Sequence, residues 1–107
     1  MFTQKTAIDI VTKFAKQISD SGIHLKHVVL FGSYSRNEQH KWSDIDVALV
    51  ADEFKNFGYD DMQHFINVLI KKPYYIIQPQ TFSASYFKKG DPFIDEIKRT
   101  GIEIKLE

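Results

Sequence analysis

Two aspartates separated by one residue, Asp44 and Asp46, open an apolar segment that is typical of a β-strand. Strand residues two apart point to the same face, so the two carboxylates are expected to lie side by side, roughly 6 to 7 Å apart. Two unpaired acids in such a strand repel each other and lose hydration, and a divalent cation removes both penalties. Because oxygen ligands without sulfur favour hard cations, the pair predicts a site for Mg²⁺ or Mn²⁺.

A glycine–serine pair, Gly32-Ser33, follows a short apolar run at residues 27–31 that predicts a buried strand. Glycine lets the backbone approach a ligand closely, and Ser33 adds a hydroxyl. The N–H groups at the start of the following turn are expected to face an anion, so the pair predicts a phosphate-binding turn. A phosphate-binding turn beside a metal-binding pair indicates a magnesium–nucleotide site for phosphoryl or nucleotidyl transfer.

The spacing of these two features carries a resemblance to a known family. Gly-Ser-Tyr-Ser-Arg at residues 32–36, followed by Asp-Ile-Asp-Val at 44–47, resembles the signature of the minimal nucleotidyltransferase (MNT) domain. These domains belong to the DNA polymerase β-like nucleotidyltransferase superfamily. The apolar strand before the glycine, and a helix–glycine–strand ending at residues 93–104, are also similar to many members.

The resemblance implies a nucleotidyltransferase-like fold and a set of residue roles. Gly32 and Ser33 would hold the triphosphate of a nucleotide, with ATP as the expected substrate. Asp44 and Asp46 would be the catalytic ligands of Mg²⁺, or of Mn²⁺, and an acceptor hydroxyl would attack the α-phosphate and release pyrophosphate. Arg36 matches the family motif as a nucleotide-binding residue, the alternative being an ordinary surface residue.

One position departs from the family. Gln78, which precedes Pro79, stands where many relatives carry a third carboxylate that activates the acceptor hydroxyl. An amide is neutral and cannot accept a proton, and the sequence contains no Asp or Glu between Asp61 and Asp91. We therefore hypothesise that nucleotide binding is retained while transfer is slow or absent.

The resemblance also implies a partner. Small stand-alone members commonly occur as the antitoxin of a HEPN ribonuclease toxin, and some attach AMP to a toxin tyrosine. A HEPN-type toxin is therefore the expected acceptor and partner, with RNA as another possible acceptor and a homo-oligomer as the alternative assembly. A nucleic-acid polymerase is disfavoured, because 14 basic and 14 acidic residues give a formal net charge of zero.

A second interpretation is a non-enzymatic module that neutralises a partner by covering it. Gln78 and the abundance of aromatic residues support this interpretation, because interfaces favour aromatic side chains. The aromatic candidates are Phe54, Phe57, Tyr59, Tyr74, Tyr75, Tyr86 and Phe87. Trp42 lies between Ser33 and Asp44, and we expect it to pack its loop against the domain, the alternative being stacking on a base.

The periodicity of apolar residues predicts the element order α-β-α-β-α-β-α-α-β. Helices are expected over residues 7–18, 34–40, 60–72, from Ser83, and from the cap at Asp91 to Gly101, and strands over 27–31, 44–50, 74–78 and 102–104. This order predicts an α/β (α+β) fold in which helices pack on a small mixed sheet.

Length and composition set further bounds. With 107 residues the chain is expected to form a single domain over residues 1–107. The absence of cysteine excludes disulfide scaffolds and thiolate zinc sites. No apolar run approaches the roughly 18 residues of a membrane-spanning helix, and residues 1–10 lack a signal-peptide core, so a cytoplasmic protein without membrane contact is expected.

Overall fold

A computed structural model describes residues 2–56 and 58–106, and within these ranges it contains five α-helices and four β-strands. In chain order they are α1 (Gln4–Asp20), β1 (Leu25–Phe31), β2 (Ile45–Ala51), α2 (Gly58–Met62), α3 (Ile66–Leu69), β3 (Ile77–Phe82), α4 (Ala84–Lys89), α5 (Pro92–Thr100) and β4 (Ile102–Glu103). The predicted α/β class is confirmed. Among the described helices, none is long and apolar enough to cross a membrane.

The four strands form one mixed sheet in the order β3-β2-β1-β4. β2 and β3 run parallel, whereas β1 is antiparallel to both β2 and β4. This arrangement confirms the expected mixed sheet. It also brings the end of β1 and the starts of β2 and β3 to the same end of the sheet, which is where the sequence motifs lie.

One face of the sheet packs against α1 and α3. The buried face of α1 includes Val11, Phe14 and Ile18, which share a core cluster with Leu30 of β1 and Leu49 of β2. Their spacing of three or four residues is that of one helix stripe, as the sequence predicted. Gly22, at φ +106°, follows the end of α1 in a conformation that favours glycine.

The opposite face of the sheet packs against α4 and α5. Ala48 and Val50 of β2 share a second core cluster with Phe82 of β3, Phe87 of α4 and Ile97 of α5. Side chains alternate along a strand, so residue 46 lies on the same face as residues 48 and 50. The acidic end of β2 therefore extends from the α4–α5 face of the sheet.

The ends of α5 match the sequence signals. Asp91 is the N-cap, with its carboxylate accepting from the Ile94 N–H, and Pro92 is the first helical residue. Gly101 is the C-cap, and a Cβ there would collide with Val29 and backbone carbonyls, so glycine allows β4 to approach β1. β4 then pairs with β1 as the expected edge strand.

The helix predicted over residues 34–40 is wrong. Residues 32–37 form a succession of turns, closed by hydrogen bonds from the Ser35 and Arg36 N–H groups to the Gly32 carbonyl. Asn37 then adopts φ +55°, which lies outside the right-handed helical region. The polar segment satisfies its backbone locally without propagating a helix.

The continuous helix predicted over residues 60–72 is interrupted. Residues 63–65 donate their N–H groups three residues back, as in a tighter 3₁₀ turn, between α2 and α3. Asp61 is buried and accepts from the Lys55 N–H and the Thr81 hydroxyl, each at 2.7 Å, so it links α2 to β3. The tighter turn accompanies insertion of Phe65 into the core, against Phe14 and Phe54.

The third strand lies later in the chain than predicted. Tyr74–Ile76 form a 3₁₀ turn, and β3 continues through Pro79 to Phe82. Proline removes a backbone donor, which a strand tolerates at the edge of a sheet, and β3 pairs only with β2 among the described strands. Pro79 therefore does not end the strand.

The capping aspartate of α5 predicts that the thermal stability depends on pH. The Tyr86 hydroxyl and the Ile94 N–H both donate to Asp91 and hold the pKa of its carboxyl below the usual value. The ionised form therefore stabilises the fold above the unfolded-state pKa of about 3.9, and this contribution disappears as the pH falls through the lower native pKa. We expect Asp91→Ala to lower the Tm at pH 7, and the difference from wild type to shrink below about pH 4.

Thermal melts followed by circular dichroism between pH 2.5 and pH 7 measure this effect. Asp95→Ala is the matched control, because it removes the same charge from the same helical turn. A Tm difference for Asp91→Ala that stays constant over the whole pH range would contradict the assignment.

Candidate active site

The residues singled out by the sequence lie together at one end of the sheet. Asp46 is the second residue of β2, and its Cα is paired with Phe31 of β1 on one side and with Gln78 of β3 on the other. Asp44, which was predicted to be the first residue of this strand, instead lies immediately before β2, and Gly32 immediately follows β1. Three neighbouring strands thus supply the backbone that positions the site.

Gly32 is in direct contact with the carboxyl group of Asp46. The glycine has φ +74°, and a Cβ at this position would lie 3.2 Å from Asp46 Cγ and closer still to Oδ2. A side chain is therefore excluded on two grounds, the backbone conformation and the space. The sequence predicted that glycine allows a close approach, and the group that approaches it here is the acidic side chain.

The two aspartates differ in exposure and interact with each other. Asp44 is exposed, whereas Asp46 is partly buried. Burial raises the pKa of the Asp46 carboxyl, the Asp44 carboxylate raises it further, and the Arg36 guanidinium lowers it. A bound cation would relieve both the desolvation and the repulsion that disfavour the ionised form.

The donor set fits Mg²⁺ or Mn²⁺ bound together with a nucleotide. Mg²⁺ is usually held by one or two carboxylates plus substrate phosphates and retains several waters. Asp44 and Asp46 supply the two carboxylates. Over residues 2–56 and 58–106 the structure contains no cluster of three or more His, Cys, Asp or Glu side chains suited to a metal, so the protein does not offer a complete cage of its own.

The turn after β1 uses several of the N–H groups that were expected to face an anion. The N–H groups of Ser35 and Arg36 bond to the Gly32 carbonyl, and that of Glu38 bonds to the Ser33 carbonyl at 2.8 Å. These three N–H groups are therefore engaged within the turn, and the expected contact with an anion concerns only the start of the turn. An anion at this turn would depend on the Ser33 hydroxyl and on backbone donors at residues 33 and 34.

Arg36 lies beside the acidic pair and is also engaged with a neighbour. Its Nε donates to the Glu38 carboxylate at 2.9 Å, and both side chains are exposed. Exposed ion pairs contribute about 0 to 1 kcal/mol, so Glu38 does not fix Arg36 strongly in place. The guanidinium is close enough to Asp46 to lower the pKa of that carboxyl.

Gln78 stands directly beside Asp46 across the parallel pairing of β2 and β3. Paired residues of neighbouring strands point to the same face, so the Gln78 amide and the Asp46 carboxylate share a face. Gln78 is exposed, and so is Gln80, the next residue on that face of β3. β3 contains no acidic residue that could take the place of Gln78.

Sequence reasoning missed the exposure of the loop before Asp44. Trp42 is 80% exposed, so the expectation that it packs the loop against the domain is wrong. The loop is closed by hydrogen bonds between His40 and Ser43, and the Lys41 ammonium lies 5.2 Å from the centre of the Trp42 ring. The signal available in the sequence was a large apolar residue in a polar segment, two positions before Asp44.

Comparison with known proteins places the chain among nucleotidyltransferases. The family profile of the nucleotidyltransferase domain matches residues 8–104. A Methanocaldococcus jannaschii protein named as a protein adenylyltransferase is 31% identical over 100 residues, which cover 91% of this chain and 97% of that protein.

Solved structures share the fold. A nucleotidyltransferase-like protein from Sulfolobus solfataricus aligns with a TM-score of 0.67 at 19% identity, over 94% of this chain and 80% of that one. A toxin–antitoxin complex with AMP-PNP aligns with a TM-score of 0.57 at 19% identity, over 90% and 73% of the two chains. A mutant MntA–HpeT toxin–antitoxin complex aligns with a TM-score of 0.56 at 20% identity, over 89% and 72%. The chain therefore belongs to the nucleotidyltransferase domain family, and its fold is MNT-like.

Proposed function

We propose that this protein binds ATP together with Mg²⁺ at Asp44 and Asp46 and transfers AMP to a hydroxyl group. The observation that carries the proposal is the partly buried Asp46 carboxylate, which contacts Gly32 and is repelled by Asp44. A purely structural residue at this position would not require a glycine at the end of the neighbouring strand and a second acid at its side. A nucleotide-bound cation accounts for all three residues.

Different residues would bind the metal and the triphosphate. Asp44 and Asp46 would hold the metal, and Gly32, Ser33 and Arg36 would contact the triphosphate. When bound, Mg²⁺ or Mn²⁺ supplies positive charge that stabilises the phosphoryl oxygens as their negative charge grows. In the transfer step the acceptor oxygen bonds to the α-phosphorus, the bond from that phosphorus to the bridging oxygen breaks, and pyrophosphate leaves.

Gln78 determines where the acceptor's proton can go. Its amide can donate or accept a hydrogen bond and so orient a hydroxyl, but it cannot take the proton at neutral pH. The proton must pass to solvent or to another group of the bound complex. General-base catalysis typically contributes about 10²- to 10⁴-fold, so transfer by this chain is proposed to be slow while nucleotide binding is retained.

The proposed biological role is that of an antitoxin whose acceptor is a HEPN-type toxin. The named activity of the Methanocaldococcus relative supports a protein hydroxyl as the acceptor class. The two toxin–antitoxin complexes with a similar fold support a protein partner. RNA as the acceptor and a homo-oligomer as the assembly are the alternatives that the same site would serve.

A second candidate function is neutralisation of a partner by coverage alone. Exposed aromatic side chains favour it: Tyr59 is 78% exposed, Tyr75 is 59% exposed, and Trp42 is the most exposed of the three. Other aromatic candidates do not contribute, because Phe54, Tyr74 and Phe87 are buried in the core. Tyr86 is partly buried, and Phe57 lies outside the described residues.

Calorimetric titration with ATP, with and without Mg²⁺, tests the proposed nucleotide site. We expect the wild type to bind ATP in a magnesium-dependent way, and Asp44→Ala to weaken that binding by about tenfold or more, because half of the carboxylate ligand set is lost. Asp9→Ala is the matched control, since it removes one exposed acid from α1 on the opposite face of the sheet and should leave the affinity unchanged.

Either alternative outcome is informative. Equal, magnesium-independent affinity in the wild type and Asp44→Ala would contradict metal binding by the acidic pair. No ATP binding in any of the three proteins would overturn the proposed enzyme and favour the coverage function.

A further inference from the structure

A concave site lies at the far end of β1 from the acidic pair. It is an open groove of about 580 Å³ between β1, β4, α4 and α5, and its polar lining includes Lys26, Lys88 and Lys98. His27 also lines it, five residues before Gly32 along β1. At about 3.3 Å per strand residue, His27 is roughly 17 Å from Gly32.

An irregularity in the sheet contributes to this lining. β1 pairs with β2 so that Leu25 is opposite Ala51 and His27 is opposite Val50, which leaves Lys26 as an extra residue in a β-bulge. Bulges bend a strand and redirect its side chains, so adjacent residues need not point to opposite faces. This explains how Lys26 and His27 both line the groove.

Two helices supply the other cationic groups. The Lys98 ammonium donates to the Phe87 carbonyl at 2.7 Å and lies 4.7 Å from the centre of the Phe87 ring. These contacts hold the charge at one place, and two of the three N–H groups of the ammonium are left for other acceptors. Lys88, near the end of α4, is exposed beside it.

The groove carries an excess of positive charge in a chain whose formal net charge is zero. Its lining contains three lysines and one acid, Glu103, whose carboxylate lies 3.2 Å from His27 Nδ1. Outside the groove lining, Asp52 pairs with Lys26 at 3.2 Å, but both side chains are at least half exposed, so a multiply charged ligand can compete for this lysine.

We propose that this groove binds a phosphate-bearing ligand of nucleotide size. The lysines provide the charge that a phosphate group requires, and Val29, Ala84 and Phe87 provide an apolar floor for the rest of the ligand. The volume lies within the range of about 300 to 1,000 Å³ typical of small-molecule sites. Binding here does not depend on a metal or on the aspartates, so the proposal is independent of nucleotidyl transfer.

Titration of the Asp44→Ala protein with AMP in excess EDTA isolates this groove from the metal site. We expect saturable binding of AMP and no detectable binding of adenosine. When Lys26→Gln and Lys88→Gln are added to Asp44→Ala, the affinity for AMP should fall by about tenfold. These two lysines are exposed, and the buttressing Lys98 is left intact, so the fold should be retained. Lys13→Gln with Lys16→Gln, two exposed lysines of α1, is the charge-matched control and should change the affinity by less than about twofold.

Glu103→Gln tests the proposal by an expected increase in the affinity for AMP. Removing the acid from the groove should tighten AMP binding by about two- to fivefold, because a neighbouring negative charge is lost. Titration with a 5′-phosphorylated RNA dinucleotide identifies the source of the phosphate. Tighter binding of the dinucleotide than of AMP would indicate an RNA end, and tighter binding of AMP would indicate a free nucleotide. No binding of either probe, equal binding of adenosine and AMP, or equal losses in the two lysine pairs would overturn the proposal.

Discussion

Gln78→Glu is expected to increase the rate of AMP transfer by about 10²-fold or more. The substitution places a carboxylate on β3 directly beside Asp46, on the face that Asp46 occupies. A carboxylate can accept the proton of the attacking hydroxyl, which the amide cannot, and general-base catalysis is typically worth about 10²- to 10⁴-fold. The increase in rate should appear in kcat, since nucleotide binding does not require the new carboxylate.

Water can serve as the acceptor in the assay, so the natural acceptor need not be known. Attack by water converts ATP to AMP and pyrophosphate, and both products are measured with wild type and variant at saturating Mg²⁺. The new carboxylate also adds a third negative charge to the Asp44–Asp46 pair. We therefore expect the variant to melt at a lower temperature than wild type in EDTA, and the difference to shrink when Mg²⁺ and ATP are added.

Gln80→Glu is the matched control for this gain. Gln80 is exposed, lies two residues further along β3 on the same face, and is paired with Ala48 instead of Asp46. The same change of charge two residues away should leave transfer near the wild-type rate. Equal rates in the wild type and Gln78→Glu, or equal gains in both variants, would contradict the assignment of Gln78 to the third-acid position.

The sequence was sufficient to predict the parts of the fold that depend on local chemistry. The apolar stripe of α1, the cap at Asp91 and the glycine that ends α5 are each defined within a few residues. Alternation along one strand predicted that Asp44 and Asp46 share a face, but Asp44 lies one residue before β2, and its carboxylate is close enough to Asp46 to raise the pKa of that carboxyl. Their proposed roles in metal binding remain predictions.

The errors arose where distant contacts determine local structure. Residues 60–72 have the periodicity of one helix, but Asp61 is anchored by the Thr81 hydroxyl from β3, twenty positions away. Pro79 reads as a strand terminator unless the strand is known to lie at the sheet edge. The pairing of Asp46 with Gln78 likewise depends on strand order and register, which the sequence does not encode locally.

Gly32→Ala is expected to weaken magnesium-dependent ATP binding by about tenfold or more and to lower the Tm. The added methyl group would overlap the Asp46 carboxyl. The Asp46 carboxylate must therefore move, and it would no longer lie correctly placed to bind the metal together with Asp44. The backbone at φ +74° is also unfavourable for alanine, and this lowers stability independently of the overlap. Calorimetric titration with ATP and Mg²⁺, together with thermal melts in EDTA, measures the two effects separately.

Gly22→Ala separates backbone strain from the contact with Asp46. Gly22 also has a positive φ, of +106°, but a Cβ there would meet no described atom within 4 Å. This variant should therefore lose thermal stability, as Gly32→Ala does, and bind ATP with wild-type affinity. If Gly32→Ala also retained wild-type affinity, the position of the Asp46 carboxylate would not limit nucleotide binding. The close contact between β1 and β2 would then serve the packing of the sheet alone.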